Sequence, residues 1–289
     1  MEKYTKPLEG AKRRILFITD YHYCPEEQAV FYRSDKDERM QSMIANINAE
    51  HAKDPFDAII STGDSALDFW VCCIQGEWIN NKRSFTKKFL DTYRSQMPKG
   101  VPMYFAPGNH EQFSDIQFKM ITGNSRNHYF VMDNFLFIVW DAFGANLNPT
   151  QHSDGTYTSI NVEWARQVMD AHPDKYVIFC SHWMQEDPNV EGLEELVKDD
   201  RVIAFFVGHD HQSMITYVYG KPVLHDGHYS YSGCKDPADC MWGFRELYIG
   251  EDSIFSRYIV PDNTCTPRRD QPLTVEYHYQ DEIEISLKK

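Results

Sequence analysis

Five short polar segments in this 289-residue chain each fall where an apolar run stops, and that placement constrains the fold more than any other feature. They are Asp20-Tyr21-His22, Gly63-Asp64, Gly108-Asn109-His110-Glu111, His182 and Gly208-His209-Asp210-His211. The runs before them, residues 14–20, 57–62, 102–106, 176–180 and 201–207, are short and apolar, as buried strands are. Helical patterns lie between several of these runs. Met40, Met43, Ile44 and Ile47 share a face across residues 37–53, and Phe85, Phe89, Leu90, Tyr93 and Met97 share one across residues 78–97. Asn161 reads as a helix N-cap, with Glu163 in the first turn. Alternation of strand and helix builds parallel units whose strands end on the same side of a sheet. Segments as far apart as Asp20 and His211 can therefore meet at one sheet end.

Residues 129–132 and 135–141 read as a hairpin, and residues 193–197 as a short helix. After His211 the periodicity changes. Residues 214–219, 221–225, 244–249 and 254–260 alternate like strands with no long helix between them, which predicts an antiparallel sheet closing the core. Residues 274–279 are a candidate for an added edge strand. No repeat or linker interrupts the pattern, so the chain is expected to be one domain, with a core over residues 13–262 and a tail over 263–289. The loops at 24–35, 65–77 and 144–159 are long enough to wall a site.

Composition narrows the function classes. Hydrophobic residues make up 42% and aromatics 14%, which excludes a disordered chain. A net charge of −14 disfavours a broad electrostatic grip on nucleic acid but leaves a small anionic substrate open, because bound cations dominate a local field. Residues 1–14 carry no secretory pattern, and no apolar stretch approaches the roughly 18–20 residues of a membrane span, so a cytoplasmic location is expected. The seven cysteines form no CxxC pair and are expected to be reduced thiols, Cys234 and Cys240 being the one local pair whose spacing allows a disulfide.

The five segments offer carboxylate, amide and imidazole donors without thiolate. That set fits Mn, Fe, Zn or Co better than copper, an iron–sulfur cluster or an all-oxygen Ca or Mg cage. Asp20 with His22, and His209 with His211, are each two residues apart. In an extended segment such pairs project to one side, with Tyr21 and Asp210 turned away. Asp64 can place its two oxygens on two cations, while Asn109 offers a carbonyl oxygen and His182 an imidazole. Two divalent cations would activate a bridging water as hydroxide and neutralise charge on a phosphoryl group, which points to hydrolysis of a phosphate ester. His110, beside Asn109, can give the leaving group its proton, with Glu111 or Asp68 to orient it.

The ordered set Asp-x-His, Gly-Asp, Gly-Asn-His-Glu, His, Gly-His-x-His resembles the calcineurin-like metallophosphoesterase superfamily, over roughly residues 13–260. The resemblance implies an α/β fold in which a two-sheet β-sandwich of mixed strands is flanked by helices, with the site at the strand ends. It implies two divalent or mixed-valence transition metal ions. Asp20, His22, Asp64 and His211 would hold the first, with Asp64 as bridge, while Asn109, His182 and His209 would complete the second. His110 matches the family's leaving-group histidine. Leu67 stands where Ser/Thr protein phosphatases carry the second Asp of Gly-Asp-x-x-Asp-Arg-Gly and purple acid phosphatases the Tyr of Gly-Asp-x-x-Tyr, so neither subgroup pattern is complete.

The implied function is cleavage of a phosphomonoester or phosphodiester of a small or medium-sized molecule, with no nucleic-acid or membrane partner. A nuclease of the same superfamily and a non-catalytic scaffold retaining the fold are the alternatives. His225 and His228 are candidates to line the cleft or to shape a turn, and Cys24 for a ligand or a buried thiol. Phe69, Trp70, Trp78 and Trp183 are candidates to stack on a base or pack in the core.

Overall fold

The computed structural model describes residues 8–27, 34–68, 84–111, 114–143, 157–230, 242–261 and 279–287. The first half runs β1 (Arg13–Ile18), α1 (Lys36–Lys53), β2 (Ala58–Ser61), α2 (Phe85–Tyr93), β3 (Met103–Phe105), α3 (Asp115–Thr122), β4 (His128–Met132) and β5 (Phe135–Val139). The second runs α4 (Val162–Asp170), β6 (Tyr176–Cys180), α5 (Leu193–Lys198), β7 (Val202–Val207), β8 (Ser213–Val218), β9 (Lys221–Asp226), β10 (Phe244–Ile249), β11 (Ser253–Ile259) and β12 (Tyr279–Ser286). These strands make two mixed six-stranded sheets, in the orders β12-β11-β10-β1-β2-β3 and β4-β5-β6-β7-β9-β8.

Continuous apolar strands follow from burial on both faces. Ile15, Phe17, Ala58 and Ile60 of the first sheet meet Phe137, Val139, Ile178 and Phe206 of the second in the layer between the sheets. Phe17 stacks on Phe206 with ring centroids 3.9 Å apart, and burying one such side chain contributes about 1.5–3 kcal/mol. The alternate residues Leu16, Ile18 and Ile59 face outward onto Met40, Met43 and Ile47 of α1 and Phe85 and Phe89 of α2. Leu136, Ile138, Val177 and Phe179 do the same against Ala165 and Met169 of α4 and Leu193 and Val197 of α5. The result is a helix, sheet, sheet, helix sandwich.

Three expectations change. The last third does not form one antiparallel sheet: β9 joins the second sheet parallel to β7, β8 pairs antiparallel with β9, and β10, β11 and β12 extend the first sheet. Alternating apolar residues define a strand but not its partner, which long-range register selects. Of the helix expected over 78–97, residues 78–83 lie outside the described residues; the described helix α2 starts at Phe85, where Ser84 caps it and the buried Asp68 carboxylate accepts the Phe85 and Thr86 N–H groups at 2.5 and 3.1 Å. An unanticipated helix, α3, is set by a capping box between Ser114 and Gln117 and a left-handed C-cap at Gly123.

The edge strand of the tail is β12, starting at Tyr279; the rest of the 274–279 expectation lies outside the described residues. So do Phe69, Trp70, Trp78, Cys234 and Cys240. Cys24 and Cys180 are free, buried thiols, and burial raises Cys24 to about 11. Among the described residues no helix is long and apolar enough to cross a membrane.

Candidate metal centre

The five segments follow β1, β2, β3, β6 and β7 and converge where those strands end. One ligand atom from each of Asp20, His22, Asp64 and His211 falls in a cluster whose members all lie within 4.8 Å of one another. The pairs do not converge through extended backbone, as residue spacing alone implied. Asp20, His22, Asp64, His209 and His211 all have positive φ, between 43° and 71°, so each segment hooks rather than continues its strand. A left-handed non-glycine residue costs roughly 1–3 kcal/mol, and such strain collects at sites where the surrounding structure over-determines it.

Both buried aspartates are held by one oxygen and present the other. Asp20 Oδ2 accepts from Thr19 Oγ1 at 2.6 Å and from the His209 main-chain N–H at 2.9 Å. Its Oδ1 lies 2.9, 3.5 and 3.9 Å from the Nε2 atoms of His211, His22 and His182. Asp64 Oδ1 accepts from the His110 main-chain N–H at 3.0 Å, while Oδ2 lies 3.2, 3.3 and 3.3 Å from the Nε2 atoms of His182, His22 and His110. Beside this group, His209 Nδ1 is 3.0 Å from Asn109 Oδ1, and the His209 ring meets the His182 ring edge-on at 5.1 Å. All eight sequence-derived site residues therefore share one crevice. Asp20, Asp64, Asn109 and His182 form its buried floor; His22, His110 and His211 form its rim, with side chains 15%, 13% and 19% exposed.

Two buried atoms at the floor, Asp20 Oδ1 and His182 Nε2, have charged neighbours, His211 Nε2 at 2.9 Å and Asp64 Oδ2 at 3.2 Å, but no well-directed hydrogen bond, an arrangement that leaves lone pairs for a cation. His182 Nδ1 is 2.7 Å from the Thr62 carbonyl, which fixes Nδ1 as the protonated nitrogen and leaves Nε2 as a ligand atom in the neutral ring. Burial alone would raise the two aspartates, yet His211 and His182 hold Asp20, and His110 and His182 hold Asp64, well below the usual carboxylate range. Burial would likewise lower His182, but Asp64 and Asp20 raise it to about 10. The floor thus carries negative charge that draws a proton when nothing else neutralises it. An oxygen and imidazole donor set of this kind fits a divalent transition metal.

Most of the supporting residues were named from the sequence, but with other roles. Glu111 does not turn to His110: its carboxylate accepts the N–H groups of Gly108, Asp64 and Ala66 at 2.7, 2.9 and 3.2 Å, locking two ligand loops together. Burial and the charge of Asp64 push it up to about 7. Asp68 is spent on the α2 cap, so the carboxylate seen against the His110 ring is Asp64. His225 is buried, with Nδ1 3.2 Å from Asp210 Oδ2, between the two histidines of the last motif. His228 is buried and stacks on His211 at 5.7 Å. Trp183 and Phe143 pack on His209 at 5.2 and 5.3 Å. Tyr21 points away, its hydroxyl donating to Ser65 Oγ at 2.7 Å.

Glycine is required where backbone touches ligand. A Cβ on Gly208 would lie 2.1 Å from Thr19 Oγ1 and 2.6 Å from Asp20 Oδ2; one on Gly108 would lie 2.1 Å from Asp64 Oδ1. Gly208→Ala is therefore expected to displace Asp20, lowering bound metal to less than about half and stability by about 1–3 kcal/mol. Elemental analysis and urea unfolding check this, and full metal content with unchanged stability would contradict the placement.

Comparison with known proteins identifies the family and the fold. A family model described as calcineurin-like phosphoesterase matches residues 13–213. A dimetal phosphatase from Danio rerio shares the fold at a TM-score of 0.63 and 15% identity, over 96% of this chain and 100% of that one. GAP50, described as the anchor in the inner membrane complex of Plasmodium, does so at 0.60 and 10%, over 96% and 90%. No curated protein matches the chain in sequence. With the family model spanning more than half of its length, the chain belongs to the calcineurin-like phosphoesterase family, whose members are metal-dependent.

Proposed function

We propose that the protein is a dinuclear metal-dependent phosphoesterase acting on a phosphomonoester or phosphodiester of a small or medium-sized molecule, as a single domain in the cytoplasm. Asp20, His22, Asp64 and His211 would hold one ion and Asn109, His182 and His209 the other, with Asp64 shared. The observation that carries this reading is the 4.8 Å cluster built on two buried, ionised aspartates. Two divalent cations supply a water of lowered pKa and neutralise phosphoryl charge.

The chain's own residues do the rest. Asp64 keeps Oδ2 between the His22 and His182 imidazoles, where one carboxylate would serve both subsites. His110 stands on the rim, anchored through its main-chain N–H and with ring Nε2 3.3 Å from Asp64 Oδ2, and this ring hands a proton to the departing oxygen. Net charge of −14 supports a small ester over a nucleic acid.

Purified protein loaded with Mn, Fe, Zn or Co should hydrolyse mono- or bis-nitrophenyl phosphate, then discriminate within a panel of phosphomonoesters, cyclic nucleotides and glycerophosphodiesters. Metal-loaded protein that cleaves neither nitrophenyl ester would speak for the scaffold alternative.

Metal binding is also expected to release protons. In the metal-free protein His182, raised from 6.5 to about 10, contributes stability that is fully present below pH 6.5 and lost as pH rises toward 10. Asp20 and Asp64 contribute stability present above their ordinary 3.8 and lost as pH falls below it. The thermal stabilisation by added Mn2+ should therefore grow from pH 6.5 upward, with proton release seen by calorimetry in buffers of different ionisation enthalpy. A stabilisation independent of pH would exclude competition between proton and metal.

A further inference from the structure

Arg39 belongs to none of the five segments, yet it underlies one of them. It sits in the first turns of α1, 3% exposed, and its Nη1 donates to the main-chain carbonyls of both Tyr21 and Tyr229. Its Nη2 donates to the His22 carbonyl at 3.4 Å. We propose that Arg39 is a positioning residue for the first metal subsite, holding Asp20 and His22 in their left-handed hook by joining it to the segment around Tyr229. This rests on the dinuclear reading above.

The left-handed turns at Asp20 and His22 aim the carbonyls between and after them away from any strand partner and toward α1. A buried carbonyl needs a donor, and a planar guanidinium can serve several at once, which a compact lysine ammonium on a flexible stem does with poorer geometry. The Tyr229 segment closes the loop from the other side: its N–H donates to the Asp20 carbonyl at 3.2 Å. The Tyr229 hydroxyl accepts from Asn46 Nδ2 at 3.0 Å and lies 3.3 Å from Ser42 Oγ, so α1 grips the same tyrosine twice more. Its neighbour His228 stacks on His211. Asp20, His22 and His211 thus share one foundation. The other subsite is braced differently, through the Thr62 carbonyl on His182, the Asn109–His209 contact and the Phe143 ring. Losing Arg39 should loosen one subsite and spare the other.

The test is titration of the full chain with Mn2+, followed by elemental analysis and electron paramagnetic resonance, on the wild type, Arg39→Met and Arg39→Lys. The wild type is expected to bind two spin-coupled ions. Each variant should keep one ion within threefold of its wild-type affinity and bind the other 10- to 100-fold more weakly, giving the spectrum of an isolated ion. In an Asn109→Ala background, which weakens the spared subsite, Arg39→Met should remove the remaining ion.

A second readout needs no metal. NMR-detected exchange of the His22 and Tyr23 amides, which donate to the Asp64 and Ser65 carbonyls at 3.1 and 3.0 Å, should accelerate at least tenfold in the metal-free variants, with the Gly208 amide, which donates to the His182 carbonyl at 3.2 Å, unchanged. Affinities within threefold of wild type for both ions, equal weakening of both, or exchange that is unchanged or uniformly faster overturns the proposal. Should Arg39→Met not fold, Arg39→Lys carries the comparison, and failure of both to fold marks Arg39 as a general folding residue and also overturns it. A wild type that binds fewer than two ions counts against the dinuclear reading, and the exchange data then decide the role of Arg39 alone.

Discussion

Asp64→Asn is expected to lower phosphoester hydrolysis by more than about 10³-fold, beyond the 10²–10³-fold typical of losing one preorganised electrostatic contact. Asp64 Oδ2 lies within 3.3 Å of three imidazole nitrogens, those of His182, His22 and His110, closer as a set than the three that face Asp20 Oδ1 at 2.9–3.9 Å. Asparagine keeps the shape but removes the charge and puts an amide N–H group where an acceptor stood. The fold should survive, because the bond from the Asp64 main-chain N–H to Glu111 is independent of the side chain. Metal analysis, far-UV circular dichroism and hydrolysis of bis-nitrophenyl phosphate separate these effects. Wild-type turnover in a well-folded Asp64→Asn variant would remove Asp64 from the shared position.

His110→Ala should behave differently, losing about 10²–10⁴-fold in kcat while keeping its metal. Alanine retains the main-chain N–H that donates to Asp64 Oδ1, so the metal floor stays in place. What disappears is a rim imidazole able to protonate a leaving group. A poor leaving group needs that proton most, so alkyl phosphates should lose more than nitrophenyl esters, whose phenolate departs readily. Equal losses for both leaving groups, or wild-type turnover, would assign His110 to positioning instead.

Much of the site was legible because its signals are local. Asp20, His22, Asp64, Asn109, His110, His182, His209 and His211 each follow an apolar run, and a strand that stops at a polar residue reads the same in sequence and in space. The supporting contacts were not legible. Arg39 reads as one charged residue of an amphipathic helix, and only the chain crossing from β9 back to β10 brings Tyr229 over Asp20. Glu111 stood in a motif, but its role depends on three N–H groups from two loops. The α3 helix had a readable signal in the Ser114 and Gln117 capping box.

What the sequence determined by itself is the set of donors, the strands that carry them and the order in which they come, because hydrophobic period and residue chemistry are properties of neighbours along the chain. Only the tertiary structure decided which sheet each late strand joins, that five candidate ligands adopt left-handed backbone, and which buried groups hold them there. Sheet partnership and backbone strain are settled by contacts between distant segments, and the free energy that selects them comes from packing the whole sandwich rather than from any one stretch of residues.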